Sequence, residues 1–242
     1  MIVLKTEEEL AMLRKSGKIL AKIMARLKQF IRPGISTQDI DRFAEELLQQ
    51  ENVISAFKGY RGFPANICTS VNEEIIHGIP GPRQLKDTDI ISIDLGINYQ
   101  GYFSDAAITI AMERASSNLK RLVEVTKQAL FEGIKQARVN NYLSDISHAI
   151  QNYVERNGFS VVREFVGHGI GRALHEEPEV PNFGLPHRGP ILKSGMVLAI
   201  EPMVNMGSWE SRILANGWTA VTKDGLASAH FEHTVAIRED GP

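Results

Sequence analysis

Four acidic residues sit where acids are poorly suited. Asp94 lies in Asp89-Ile90-Ile91-Ser92-Ile93-Asp94-Leu95-Gly96-Ile97, and Asp105 in the run from Tyr102 to Met112. Glu201 ends Met196-Val197-Leu198-Ala199-Ile200, and Glu232 lies inside His230-Phe231-Glu232-His233-Thr234-Val235-Ala236-Ile237. These runs read as strands, and aspartate is poor strand material. The segment Asn98-Tyr99-Gln100-Gly101 between the first two reads as a hairpin turn. A register symmetric about Tyr99 and Gln100 sets Asp94 opposite Asp105, with Cβ atoms about 4.5–5.5 Å apart. Two solvated aspartates on an exposed strand would be the plainer reading. Ile93, Leu95, Ala106 and Ala107 argue against it, because a buried carboxylate pair needs a cation or a shared proton. One buried acid is more often a structural hydrogen-bond acceptor; four are harder to explain that way.

Histidines complete the set. Gly167-His168-Gly169-Ile170-Gly171 surrounds His168 with glycine, which suits close backbone approach at a strand end. A phosphate loop is disfavoured, because no Lys-Ser/Thr follows. His175 precedes Glu176-Glu177-Pro178, and His77 lies in the loop-like Asn72–Pro80 segment, where alone it would be an ordinary surface histidine. Four carboxylates and one imidazole balance the charge of two divalent cations. Oxygen ligands with one nitrogen suit Mn, Fe, Co or Zn. Two such ions about 3.5–4 Å apart clamp a nucleophile and a carbonyl oxygen. The residues therefore point to a metal-dependent hydrolase.

Elements able to position these groups are legible. Thr6 and Glu9 form a capping box. Leu10, Leu13, Gly17, Leu20, Met24, Leu27 and Ile31 then give a helical stripe, stopped at Arg32-Pro33-Gly34. A second helix starts at Ser36 and buries Ile40, Phe43, Ala44, Leu47 and Leu48. A third runs from about Asn118 to Ala137, and a fourth is predicted to start at a Ser144 cap and stop at Asn157-Gly158. Each helix pair precedes β-rich sequence. The chain thus reads as one domain, 1–242, made of two similar halves, about 1–112 and 113–242, with no linker between them.

Composition sets the remaining bounds. With 27 Lys+Arg against 29 Asp+Glu, no positive excess exists to hold nucleic acid by bulk charge. No apolar run is long enough to span a membrane. A single cysteine, Cys68, excludes a disulfide framework and suits a cytoplasmic setting.

Together the motifs resemble the type I methionine aminopeptidase family, in its compact bacterial form, over nearly the whole chain. They are Asn72-Glu73 with His77-Gly78-Ile79-Pro80, Asp94-Leu95-Gly96 with Asp105, Gly167-His168-Gly169-Ile170-Gly171, His175-Glu176-Glu177-Pro178, Ile200-Glu201-Pro202 and Phe231-Glu232-His233-Thr234. The resemblance implies an α+β, pseudo-two-fold pita-bread fold: a central antiparallel-rich sheet covered by two helix pairs. It implies two divalent metal ions. Asp94 and Asp105 hold one, His168 and Glu201 the other, and Asp105 and Glu232 bridge both. Glu201 doubles as proton shuttle. His175 meets the substrate carbonyl and His77 the scissile amide nitrogen. Tyr60, Phe63, Cys68, Leu174 and Trp218 line a methionine pocket, with Phe57 near its mouth; for Cys68, a plain core role is equally open.

The sequence departs from the family at several places. Phe63 stands where tyrosine is common, Leu174 where phenylalanine is, Phe57 where some relatives have cysteine, and His230 where Gln is common. His230 is expected to share a strand face with Glu232 and to support the ligands rather than join them. Asn72 and Ser228 match positions linked to a monovalent cation. The implied activity is removal of initiator methionine from nascent chains in the cytoplasm, before a small second residue, by a monomer that meets the ribosome transiently. Rival readings are a proline-specific aminopeptidase or prolidase of the same fold, and a non-catalytic partner-binding protein that would have lost its ligands.

Overall fold

The computed structural model describes residues 1–242. The chain has four α-helices, fourteen strands and one short 3-10 helix, Tyr60–Gly62. The helices are α1 (Glu7–Phe30), α2 (Thr37–Gln50), α3 (Ser117–Gln136) and α4 (Leu143–Arg156). The first strands are β1 (Ile54–Ser55), β2 (Cys68–Val71), β3 (Glu74–Ile76), β4 (Ile90–Tyr99) and β5 (Tyr102–Ala111). The others are β6 (Ser160–Val161), β7 (Gly167–Gly169), β8 (Glu176–Val180), β9 (Val197–Ile200), β10 (Met203–Asn205), β11 (Ser211–Ile213), β12 (Ala220–Thr222), β13 (Ser228–His230) and β14 (Glu232–Ala236). The main sheet runs β1-β4-β5-β14-β9-β7-β8, with β2 also on β4. Two three-stranded sheets, β13-β10-β6 and β11-β12-β3, flank it.

The helix starts follow capping chemistry. Thr6 Oγ1 accepts from the Glu9 amide while Glu9 accepts from the Thr6 amide, and Ser36 with Asp39 repeats the exchange. The buried face of α1 includes Ser16 and Ile23 and leaves Gly17 partly open, so the expected stripe is rotated at that point. Ser16 is there because its hydroxyl bonds Ser104 Oγ at 2.7 Å, a polar contact that a hydrophobic pattern does not register. The fourth helix is capped at Tyr142, not Ser144. Its free amides at Leu143 and Ser144 donate to the Pro190 and Arg188 carbonyls, and the Tyr142 amide donates to Asp145, so no serine cap is needed.

Two apolar cores hold the helix pairs to the sheets. Leu20, Leu27, Ile40 and Leu47 pack with Ile91, Ile93, Leu95 and Ile97 of β4. Leu122, Leu130, Ile146 and Ile150 pack with Leu198, Ile200, Val204 and Ala229. Each such side chain, fully buried, contributes about 1.5–3 kcal/mol. Strand alternation follows at once: the odd-numbered residues of β4 face the helices, which turns Ser92 and Asp94 to the other face of the sheet.

The hairpin register corrects the expectation for the aspartates. Tyr99 pairs with Tyr102, and Gln100 and Gly101 both have positive φ (52° and 83°), as a two-residue turn of the hairpin type requires. Asp94 therefore pairs with Ala107, and Asp105 with Gly96. The turn lies one residue later than the symmetric guess, so partners shift by two and the face is preserved. The two acids are diagonal neighbours, about 7–8 Å apart at the backbone, which leaves room between their carboxylates.

The second acid-bearing strand is also broken where continuity was expected. β13 and β14 belong to different sheets, separated at Phe231, whose amide donates to the Pro202 carbonyl at 3.3 Å. β9 and β10 are separated at the same level by Glu201-Pro202, where proline has no amide to offer the ladder. His230 and Glu232 thus lie on different strands rather than on one strand face.

Candidate metal and substrate site

Sheet register alone puts the expected ligands on one face. Directly paired residues point the same way, as do residues two apart on one strand. Asp94 pairs with Ala107, and Ala107 pairs with Glu232. Asp105 is two residues from Ala107. Thr234, two from Glu232, pairs with Ala199, which pairs with His168. Glu201 follows two residues after Ala199, just past the end of β9. Ala107, fully buried and nearly without side chain, sits between Asp94 and Glu232 and keeps the middle of the face open.

Glycine makes the His168 strand possible. A Cβ on Gly167 would lie 2.3 Å from the Ala199 carbonyl oxygen, and one on Gly169 would lie 2.3 Å from that of Glu177. Only glycine lets β7 approach its neighbours this closely. The His168 Nδ1–H donates to the Gly169 carbonyl at 2.9 Å, which leaves Nε2 bare and aimed at the acids. Thr234 Oγ1 accepts from the Asp105 amide at 2.9 Å and donates to the Asp105 carbonyl at 2.8 Å, pinning β5 to β14 beside the site.

Ligand atoms of Asp105, His168 and Glu232 lie within 4.8 Å of one another. His168 Nε2 is 3.6 Å from Glu201 Oε1. Asp94 Oδ1 and Glu232 Oε1 are buried with no hydrogen-bond partner, an arrangement a bound cation satisfies. Burial, reinforced by mutual repulsion, holds Asp94, Glu201 and Glu232 well above the usual carboxylate range, and burial pushes Asp105 up to about 7. These residues fit divalent metal: hard oxygen donors, one bare imidazole nitrogen and unpaired lone pairs.

A cavity of about 180 Å³ adjoins them and brings together every residue the motifs single out for metal, catalysis and substrate. Phe57, Tyr60, Phe63, Cys68, Leu174 and Trp218 form its apolar wall, and His77 and His175 its polar one. Phe63 meets Trp218 edge-on at 5.2 Å. Burial lowers the pKa of His77 to about 4, and its backbone is held at φ 57°, strain that costs a non-glycine residue. His175 opens to solvent at the mouth. The pocket wall, with His168, Arg61 and His77 nearby, holds it below the ordinary histidine range. Its Nδ1 is 2.8 Å from the Tyr60 hydroxyl. A larger cleft of about 930 Å³ between α1 and β14 contains neither His77, His168 nor His175, so chemistry rather than size picks the site.

Sequence reasoning missed three supports. Arg61 lines the cavity, 5.4 Å over the Tyr60 ring. Lys5, buried, pairs with Glu176, which also accepts from the Arg172 and Ala173 amides and so anchors the turn carrying Leu174 and His175. Asn182 donates to the Glu201 carbonyl at 3.0 Å. None of these belongs to a periodic pattern. Only the isolated lysine in the apolar N-terminal stretch gives any signal.

Comparison with known proteins agrees with this geometry. Residues 11–239 match the model of metallopeptidase family M24. Methionine aminopeptidase of Clostridium perfringens is 55% identical, with 100% of this chain and 97% of that protein covered. Methionine aminopeptidase 1 of Bacillus subtilis is 54% identical over the same shares. The chain belongs to metallopeptidase family M24. The crystal structure of the methionine aminopeptidase from Thermotoga maritima superimposes with a TM-score of 0.98 at 44% identity, covering 100% of this chain and 97% of that one. A prolidase from Pyrococcus horikoshii shares the fold alone, at 22% identity and a TM-score of 0.79, and the chain covers 62% of it. The fold is the M24 pita-bread architecture, and as an M24 metallopeptidase the chain binds divalent metal.

The raised carboxylate pKa values set a pH dependence. Acids whose pKa is raised by folding favour the native state most at low pH, and that contribution is lost as pH rises through the folded values. The histidines held below their ordinary range offset this below about pH 6.5, so the metal-free protein is expected to lose thermal stability as pH rises from about 6.5 through the Asp105 value of about 7. Added Mn²⁺ should restore it, with a gain in Tm that grows with pH. A pH-independent Tm without metal, or no gain with it, contradicts this.

Proposed function

We propose that the chain is a dinuclear metallo-aminopeptidase that releases initiator methionine from nascent chains with a small second residue. The observation that carries this reading is convergence. The five candidate ligands, two histidines and an apolar aromatic pocket share one small cavity, in a chain more than half identical to methionine aminopeptidases. In this reading Asp94, Asp105, His168, Glu201 and Glu232 hold two divalent ions, of which Co, Mn, Fe and Zn all suit the donor set. All 242 residues act as one catalytic unit, its halves joined by the β5–β14 pairing of Ala107 with Glu232 and Ala106 with His233. The setting is the cytoplasm, with nascent N-termini as substrates and a transient meeting with the ribosome; no helix is long and apolar enough to cross a membrane. A monovalent cation near Asn72 and Ser228 belongs to the same reading. Both side chains are already hydrogen-bonded, so backbone oxygens would hold it.

When bound, the metal ions supply Lewis acidity at the scissile carbonyl and a lowered pKa for the attacking water. The chain's own residues do the rest. Phe63, Cys68, Leu174 and Trp218 take the methionine side chain, whose thioether packs well on ring edges. Glu201 takes the proton of the attacking water. With the Tyr60 hydroxyl donating to His175 Nδ1, the His175 proton sits on Nε2 and faces the carbonyl oxygen as negative charge develops there. His77 faces the amide nitrogen that must leave as an amine.

Metal-loaded enzyme should release methionine from Met-Ala-Ser much faster than from Met-Lys-Ser, and nothing from Ala-Pro. Release from Ala-Pro with none from Met-Ala-Ser would give the function to a proline-specific enzyme instead. His175→Ala should keep its metal content while kcat falls about 10²–10³-fold, the usual cost of one lost oxyanion donor. Loss of metal from that variant, measured by elemental analysis, would make His175 a ligand.

A further inference from the structure

His230 is an imidazole buried beside the site without an assigned use. Its side chain is 2% exposed, and neither Nδ1 nor Nε2 has a hydrogen-bond partner. A buried polar ring with no partner costs about 1–3 kcal/mol, so a fully buried one beside reacting groups calls for an account. Its backbone is held hard: Thr109 Oγ1 accepts from the His230 amide and donates to the His230 carbonyl, each at 2.8 Å. The strand break at Phe231 puts His230 and Glu232 in different sheets. His230 Nε2 lies 3.7 Å from Glu201 Oε2, and no other carboxylate oxygen comes within 4 Å of either ring nitrogen. The other oxygen, Oε1, faces His168 Nε2 at 3.6 Å. The Glu201 carboxylate is thus flanked by one imidazole on each oxygen.

We infer that His230 is a positioning residue for Glu201: its Nε2–H donates to Glu201 Oε2 and fixes the carboxylate, so that Oε1 is shared with His168 toward metal. The two oxygens then have different jobs, which a carboxylate free to rotate would not keep apart. A small movement closes the 3.7 Å gap to hydrogen-bond length. The proton belongs on Nε2 rather than Nδ1, since Nε2 is the ring nitrogen that faces the Glu201 carboxylate. Groups that orient a metal ligand from behind typically govern 10–100-fold of metal affinity or activity. The inference rests on the proposed assignment of Glu201 as ligand and proton acceptor.

The test uses the full chain with His230→Leu, which removes the donor, and His230→Gln, which restores one. Three readouts are compared with wild type: Mn²⁺ stoichiometry and affinity by calorimetry, the kcat and KM split with Met-Ala-Ser, and the ring tautomer by ¹⁵N NMR of the Zn²⁺-loaded wild-type protein. In His230→Leu the number of ions bound should be unchanged, with kcat 10–100-fold lower and KM within about threefold. His230→Gln should recover kcat to within about threefold of wild type. The NMR spectrum should show His230 protonated on Nε2 and bare on Nδ1. Loss of one ion in His230→Leu would make His230 a ligand and overturn the inference. So would wild-type kcat in that variant, failure of His230→Gln to rescue, or a proton on Nδ1. Should His230→Leu fail to fold, the glutamine variant and the tautomer still decide. Wild-type protein that bound no metal and released no methionine would overturn the functional reading itself, while the tautomer reads the His230 contact independently.

Discussion

Four carboxylates share one buried face of a β-sheet, and the rest of the structure is arranged around the cost of putting them there. Asp94, Asp105 and Glu232 are 9% exposed or less, and burial pushes every acid of the set toward its neutral form. Left empty, the face would be a liability, since like charges in a low-dielectric setting repel strongly and each ion is costly to desolvate. The unpartnered oxygens of Asp94 and Glu232 show that protein donors do not relieve it. A divalent cation does, which ties metal binding to the stability of the folded state.

The scaffold holds this tension by geometry. The apolar halves of β4 and β9 pack on helices, so their other faces are free to carry acids at a fixed spacing. Ala107 clears the middle of the row, glycines on both sides of His168 bring its strand close, and Thr234 locks β5 to β14 at Asp105. The breaks at Glu201-Pro202 and Phe231 end the ladders where side chains are needed at the rim. The histidine wall and the aromatic pocket then sit on loops anchored to that rim. Buried Lys5, for example, reaches Glu176 from the N-terminal segment.

Much of this was legible in the sequence, for physical reasons that can be named. Acids in apolar strand runs, glycine around His168 and capping boxes at Thr6 and Ser36 are local signals, and the helices and the acidic cluster followed from them. Register was harder. The turn residues Gln100 and Gly101 take positive φ together, and placing the turn one residue too early misassigned the partner of every residue in the hairpin while keeping its face. The break at Phe231 is hidden in the sequence because alternation continues through it, so the pattern places His230 and Glu232 on one strand where the structure has two. Ser16 and Arg61 leave no pattern in the sequence, and Lys5 shows only as a lone charge in an apolar stretch, because its role lies in one long-range contact with Glu176.

The proposed function turns on the buried negative charge of this face holding two divalent ions. Equilibrium dialysis of the metal-free protein against Mn²⁺ at neutral pH, with protons released counted in parallel, tests it most directly. The account predicts saturation at two ions per chain and release of protons from the acids that burial had kept neutral. Saturation below one ion, or binding with no proton release, would contradict it.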